Sequence, residues 1–410
     1  GTQDFLDLSL YNFVIDRMKK QLQLYHFAEI ATPILESVDL FSRSLGLYTD
    51  VVTKEMFVIA SADDEERICL RPEATASTVR VFIEHQVKPP WKVFSYGPMF
   101  RYERPQKGRF RQFHQINIEI IGAAALEQDV QLIKMLDRFF HEQLLLNNYA
   151  LLLNFLGCFD DRKTYQLLLK DFLQGPRAGD ICSMCLERKE RNIMRIFDCK
   201  NPLCQKIYQN APYIADCLCK KCAKEWRQLQ DQLSLLSISY AYQPTLVRGL
   251  DYYNKTVFEF VSKNLGAQNA FCGGGRYDQL VGQLGAKEDQ PSLGAAIGIE
   301  RLLLLLEPFK DQLPLEKLPA LHVIMPLTPA QYSLALLLAD ELQAQNICVD
   351  ILLAGDSLKS MMRKANKMGA AYALILGEEE QQTKTVTIKN MITGQEERIL
   401  QIKAAAFVRK

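Results

Sequence analysis

Between Pro98 and Ile120 the chain reads PMFRYERPQKGRFRQFHQINIEI, and no other segment constrains the fold as tightly. Successive side chains of a strand point to opposite faces. A first strand therefore places Met99, Arg101 and Glu103 on one face, with Phe100 and Tyr102 on the other. A second strand groups Phe113, Gln115, Asn117 and Glu119, with Ile116, Ile118 and Ile120 opposite. The loop between them is basic: Arg101, Arg104, Lys107, Arg109 and Arg111 stand against the single anion Glu103. Each strand thus offers an apolar face to a core and a polar face to a ligand. Guanidinium groups suit phosphate because their fork donates two hydrogen bonds to one anion. A solvated hairpin with a basic tip is the plainer alternative, but it does not account for Gln115 and Glu119 lining up behind Phe113. The segment points to an enzyme that handles a nucleoside triphosphate.

A chain of 410 residues exceeds one compact core, so two to four domains are expected. No apolar run approaches the roughly 20 residues of a membrane span; the leucine run 302–306 is short, and residues 1–16 are polar and amphipathic, unlike a signal peptide. Because the chain starts at Gly1 rather than Met, it is expected to have lost a few residues. The net charge is only +1, from 49 basic and 48 acidic residues, so nucleic-acid binding must rest on local patches. Eleven cysteines without a secretory signal imply a reducing, cytoplasmic setting. There they are free, metal-binding or catalytic rather than disulfide-bonded.

Along the chain, Ser9 is placed to cap a helix over 9–22, with Tyr11, Val14, Ile15, Met18 and Leu22 as its apolar stripe. Strands are expected from Trp91 to Gly122, helix over 126–147 and a short strand over 150–156. Between about 158 and 240 lie eight of the eleven cysteines, at 158, 182, 185, 199, 204, 217, 219 and 222. Strand signals resume at Thr245, the glycines Gly273 to Gly275 read as the opening of a helix, and 294–301 opens another. Residues 309–319, with Pro314 and Pro319, read as a linker. Beyond it a βαβαβ unit is expected, with strands at His322–Pro326, 347–353 and 371–376, helix caps at Thr328 and Ser357, and a hairpin turning at Thr393-Gly394.

Other segments carry chemistry but are ambiguous alone. In RPEAT, 71–75, Glu73 and Thr75 either hold a substrate ammonium or cap the helix that starts near Ala74. In VRGLDYYNKTVFEF, 247–260, a glycine directly after Arg248 allows the close backbone approach of a ligand site, whereas Tyr252 and Tyr253 also fit a core. GAAIGIER, 294–301, spaces two glycines before Glu300-Arg301. Cys182-x-x-Cys185 and Cys219-x-x-Cys222 are knuckle-like pairs that could jointly supply the four thiolates of a tetrahedral zinc, with Cys199 and Cys204 as competing ligands. Small buried hydrophobes with free thiols remain the other reading.

Taken together and in this order, the segments resemble a class II aminoacyl-tRNA synthetase, and within that class the histidyl-tRNA synthetase family. Motif 2 of the class stands as Arg101-Tyr-Glu103 and Arg109-Phe-Arg-Gln-Phe113, motif 3 as Gly294 to Arg301, and motif 1 around EIATPILES with Pro33. The histidine-specific signatures stand as Arg248-Gly-Leu-Asp-Tyr-Tyr253 and Gly273-Gly-Gly-Arg-Tyr-Asp278. The resemblance implies an α+β catalytic core on an antiparallel sheet, an inserted, mostly helical module and a C-terminal α/β anticodon-binding domain. The boundaries are expected at 1–157 and 241–308 for the core, 158–240 for the cysteine-rich insertion and 319–410 for the anticodon-binding domain.

It also implies ATP-dependent ligation of L-histidine to its tRNA through a histidyl-adenylate, with magnesium accompanying ATP, and a homodimer formed through motif 1. By match to the family's motifs, Arg101 holds the α-phosphate and the histidine carboxylate, and Arg109 and Arg301 hold the outer phosphates. Phe113 stacks on adenine beside Glu103, and Arg248 takes charge at the α-phosphate in the transition state. Glu73, Ala74 and Thr75 meet the ammonium group, while Gln115, Glu119, Tyr252, Tyr253 and Tyr277 enclose the imidazole. The insertion is expected to grip the tRNA acceptor stem. Two positions depart from the family pattern: Ala74 stands where glycine is usual, and Ala295 where phenylalanine is usual. The alternative is a catalytically idle paralogue that serves as a regulatory subunit of the histidine-biosynthetic phosphoribosyltransferase. Such paralogues lack the C-terminal domain and erode the arginines, both of which this chain keeps.

Overall fold

Isoleucines 116, 118 and 120 are buried on one face of the strand Gln112–Ile121, which pairs antiparallel with Trp91–Phe100 along its whole length. The alternating pattern thus builds the centre of an eight-stranded sheet. The computed structural model describes residues 1–409 except 47–48, 61–66, 175–179, 267–268, 317 and 354–355. In spatial order the sheet runs Ala28–Glu29, Trp91–Phe100, Gln112–Ile121, Ser292–Gly298, Ala270–Arg276, Asn254–Val261, Ala150–Phe155 and Ala241–Tyr242. Only the two edge pairs are parallel; every inner pair is antiparallel. Its apolar face packs on the helices Ser9–Leu24, Glu127–Arg138, Lys220–Leu235 and Ile299–Leu306 through residues such as Val14, Ile133, Leu229 and Leu302.

The insertion is mostly helical, as expected, with Phe159–Phe172, Ser183–Arg191, Pro202–Tyr208 and Lys220–Leu235. It does not own a separate core. Tyr165, Leu169, Ile193 and Tyr208 share one buried cluster with Val38, Phe41, Tyr252 and Tyr277. By its internal contacts the chain divides into two units, Gly1–Leu315 and Glu316–Lys410. Of the linker expected over 309–319, residue 317 lies outside the described residues.

The second unit carries a five-stranded sheet ordered Val349–Ile351, His322–Pro326, Tyr372–Leu376, Thr385–Asn390 and Glu396–Leu400, with the first three parallel and the last two antiparallel to their neighbours. Alternation along His322–Pro326 sends Ile324 to the helix Tyr332–Ala344, and Val323 and Met325 to the helix Leu358–Lys367. Thr328 and Ser357 cap as expected, accepting from Ala330 N at 3.3 Å and Ser360 N at 3.4 Å.

Four local expectations need correction. Ser9 is the first helical residue rather than the cap, because Asp7 Oδ1 takes the Ser9 N–H at 2.8 Å. Gly273 to Gly275 lie inside a strand, not at a helix start. They are bare because strands crowd there: a Cβ on Gly274 would come within 2.2 Å of the Gly294 carbonyl oxygen. The stretch 294–301 is the end of a strand before it is a helix, since Ser292–Gly298 pairs on both sides and the helix begins at Ile299. The strand predicted from Thr245 begins only at Asn254. Upstream, tertiary partners take the backbone groups, as when Arg162 donates to Tyr253 O at 2.9 Å.

Candidate active site

The polar face of the sheet forms the floor of a cleft of about 310 Å³. Among the residues expected at a site, Glu73, Thr75, Gln115, Tyr252 and Tyr253 line it, as do Arg101, Glu103, Arg109, Phe113, Arg248 and Arg301. Segments nearly 230 residues apart in sequence (Glu73 to Arg301) thus meet in one cavity.

One end is built from carboxylates whose partners are in place. Glu73 caps the helix Thr75–Glu84, accepting from Thr75 N and Ala76 N, each at 2.8 Å. Burial pushes its carboxyl up, and those two backbone donors pull it back. Tyr252 Oη reaches the same carboxylate at 3.5 Å. Glu119 accepts from Thr75 Oγ1 at 2.6 Å and from the Tyr277 hydroxyl. Its carboxyl is pushed up to about 8, mainly by burial, against the lowering effect of those two hydroxyls. The register makes this possible: Glu119 pairs with Gly294, where a Cβ would stand 1.7 Å from Glu119 Oε2. Only glycine leaves that carboxylate room.

Ala74, Glu119 and Tyr277, expected at the amino acid, do not line the cleft as it stands. Glu119 lies behind the floor and reaches it through Thr75, because its oxygens are already turned toward Thr75 and Tyr277. Ala74 is fully buried, and its carbonyl accepts from Thr78 Oγ1 at 2.9 Å. The extra methyl relative to glycine therefore does not enter the cavity. Arg276 of the glycine-rich signature is structural: it donates to Asp129 at 2.8 Å, Ala123 O at 2.9 Å and Ala125 O at 2.8 Å.

At the other end are four cations, of which Arg109 and Arg248 have ion-pair partners and Arg101 and Arg301 have none among the described residues. Arg101 donates to Pro72 O at 2.9 Å and stacks 5.4 Å above the Phe113 ring. Arg301 donates to Gly108 O at 2.9 Å and Ala270 O at 2.6 Å. Neither makes an ion pair among the described residues. Burial, then Arg109 and Arg101, lower Arg301 to about 10, still protonated at neutral pH. A half-buried charge without an ion-pair partner gains from a bound anion, so the two arginines form a ready anion site. Arg109 is paired with Glu103 and lies 3.7 Å from Glu55. Arg248 pairs with Glu259 and sits 5.5 Å over the Tyr253 ring. Burial alone would lower Arg248, but Glu259 outweighs it and the group stands above its ordinary value. Gly273 is bare for this guanidinium, since a Cβ there would lie 2.5 Å from Arg248 Nη1.

Three buried polar atoms on cleft-lining residues, Gln115 Oε1, Asn117 Nδ2 and Arg248 Nε, have no hydrogen-bond partner among the described residues. Buried polar groups are almost always satisfied, so these mark where a ligand's polar atoms belong. The sequence placed Asn117 on the ligand-facing side of its strand but gave it no role, and it did not signal Glu259 or Arg195, which the insertion sends into the cleft, 3.8 Å from Asp50. Asn117 shares that face with Gln115, and a role was findable on that ground. Nothing local signals Glu259 or Arg195. His114 and Glu300 also meet unforeseen, with Nδ1 2.8 Å from Oε1.

The cysteines need a correction as well. The pairs Cys182/Cys185 and Cys219/Cys222 do not combine into one set of four. Cys182 and Cys185 group with Cys199 and Cys204, whereas Cys219 and Cys222 group with Cys158 and Asp161. The helix Lys220–Leu235 packs on the sheet core and carries its pair away from the first group.

Comparison with known proteins agrees with this geometry. Residues 10–302 match the family model described as histidyl-tRNA synthetase, and residues 322–410 match an anticodon binding domain. A histidine–tRNA ligase of Nitratidesulfovibrio vulgaris is 44% identical over 378 residues, covering 92% of this chain and 88% of the relative. One from Aquifex aeolicus is 40% identical over 404 residues, covering 97% of each. Among solved structures, apo histidyl-tRNA synthetase of S. aureus superposes with a TM-score of 0.80 at 31% identity, covering 100% of this chain and 98% of that one.

Proposed function

The chain belongs to the histidyl-tRNA synthetase family, and on that premise we propose how its cleft divides the family's reaction between two ends. The activity is ATP-dependent ligation of histidine to its tRNA on a class II synthetase fold, with a C-terminal anticodon-binding domain. Relatives named as ligases along nearly the whole chain favour this over a regulatory subunit. The histidine carboxylate attacks the α-phosphorus of ATP in line, and pyrophosphate leaves. A hydroxyl of the tRNA's terminal adenosine then attacks the adenylate carbonyl, and AMP leaves. Such chemistry is mostly positioning and charge stabilisation.

The observation that carries the assignment is the coincidence of two half-buried arginines without an ion pair and three unpaired buried polar atoms, all among the described residues of one cavity. In our reading Arg101 binds the α-phosphate and the histidine carboxylate, and Arg301, joined by Arg109, binds the outer phosphates of ATP, whose magnesium enters as part of the substrate. Phe113 stacks on adenine beside Glu103. Arg248, held by Glu259, takes charge at the α-phosphate as the bond forms. Glu73 and Thr75 receive the ammonium group, Gln115 and the tyrosines Tyr252 and Tyr253 face the imidazole, and Glu119 with Tyr277 positions Thr75 from behind. A site built to pair a polar side chain rejects analogues that leave its own groups unpaired, which is how this end would select histidine. Histidine-dependent ATP–pyrophosphate exchange tests the reading; a folded sample with no exchange overturns it.

We also propose a homodimer through the segment 27–41, where Ile34 and Leu35 are 40% and 52% exposed, to be tested by light scattering. The eleven free thiols suit a reducing cytoplasm. The working domain division remains 1–157 with 241–308, 158–240 and 319–410.

A further inference from the structure

Residues 182–204 have no core of their own: Ile193, Met194 and Ile196 are buried in the cluster shared with Phe41 and Tyr252. Their helices Ser183–Arg191 and Pro202–Tyr208 have nine and seven residues, and Met184, Leu186 and Leu203 on them are exposed. Small modules with little core need a covalent or metal staple. Four thiols converge where that staple would sit. Cys182 precedes the first helix, Cys185 lies in its first turn, Cys199 follows the turn Ile193–Asp198, and Cys204 lies in the second helix. Their sulfurs all lie within 4.8 Å of one another. The Cys182 and Cys199 sulfurs are 3.8 Å apart. Zinc–thiolate bonds of about 2.3 Å place tetrahedral sulfurs about 3.8 Å apart. Two backbone N–H groups point at the cluster, Cys182 N to Cys204 Sγ at 3.2 Å and Asn201 N to Cys199 Sγ at 3.4 Å. Donors of that kind stabilise charge on metal-bound sulfur.

We propose that Cys182, Cys185, Cys199 and Cys204 form a closed tetrahedral site for one zinc ion, which fastens the first half of the insertion. Closure on four thiolates with no open position makes the role structural rather than catalytic. The turn Ile193–Asp198 lies between two pairs of ligands, so the metal fixes the turn that carries Arg195 into the cleft. The second group is built for another job. Both oxygens of Asp161 are engaged by backbone N–H groups, from Cys158 at 3.1 Å and Cys219 at 2.8 Å. Asp161 there pins two chain segments as a cap.

Metal analysis of the full chain tests this. The wild type is expected to carry zinc, the double variant C199S/C204S to hold one equivalent fewer, and C219S/C222S to keep that equivalent. Should C199S/C204S fail to fold, mercurial titration of the wild type in the presence of a zinc-sensitive dye should release one zinc as these thiols react. A cobalt-substituted wild type should show the intense thiolate charge-transfer and tetrahedral ligand-field bands of a four-sulfur site. Wild-type protein purified with well under one zinc per chain, zinc fully retained by C199S/C204S, or zinc lost from C219S/C222S overturns the proposal.

Discussion

The two ends of the cleft meet the same problem, buried charge, in opposite ways. At one end Glu73 and Glu119 have their hydrogen-bond partners already in place: two backbone N–H groups for the first, two hydroxyls for the second. At the other, Arg101 and Arg301 donate to carbonyl oxygens and form no ion pair among the described residues, with Glu55 and Glu73 acting on the first, and Glu259 and Glu300 on the second, only through space. A preorganised hydrogen-bonded end selects a ligand by shape and donor pattern, and an under-compensated end waits for the ligand to bring the charge. On the proposed assignment the amino acid would meet carboxylates already partnered, whereas ATP would bring the negative charge its arginines lack.

The largest effect should come from the residue joining the two ends. Arg248→Ala should slow adenylate formation about 10³-fold while ATP KM moves only a few fold, as for other groups acting on transition-state charge. Pre-steady-state exchange kinetics measure both, and equal losses in binding and rate would place Arg248 in ground-state binding instead. Next in size, Arg301→Ala should raise ATP KM roughly 10- to 100-fold, the worth of a charge-assisted contact to phosphate, with histidine KM little changed. If both KM values rise together, the ends are not separate.

Glu119→Gln should do the converse, raising histidine KM about 10-fold with ATP KM unchanged, because the contact runs through Thr75. The smallest effect is on stability. Below the ordinary glutamate value of 4.5, Glu119 is protonated in both folded and unfolded chains. As pH rises from 4.5 toward about 8 only the unfolded chain releases the proton, so stability falls; beyond about 8 the loss is complete. The Tm difference between Glu119→Gln and wild type, without ligands, should therefore grow by a few degrees between pH 5 and 9. A constant difference would mean that Glu119 is not held up by burial.

Much of the site was legible because strand alternation is local. The faces of Gln112–Ile121 follow from its sequence alone, and both Phe113 and Gln115 stand in the cleft while Ile116, Ile118 and Ile120 lie in the core. Glycines were legible as special positions but not in their purpose. Gly273 and Gly294 read as helix openings, yet each sits in a strand where a neighbour's ionisable side chain occupies the space of a Cβ. Cysteine spacing likewise suggested metal pairs but not which pairs meet, since spacing says nothing of where a later helix docks.

The sequence by itself determined which chemical groups face the same way: arginines, glutamates and a phenylalanine on one side of a hairpin, isoleucines on the other. Those assignments hold over a few residues, where covalent geometry fixes direction. Only the tertiary structure decided who neutralises whom. Thr75 meets Glu119 from 44 residues away and Tyr277 meets it from 158, while Arg248 pairs with Glu259 on the following strand and Arg301 forms no ion pair among the described residues. Burial then sets the energy of each charge, and burial belongs to the assembled sheet rather than to any stretch of chain.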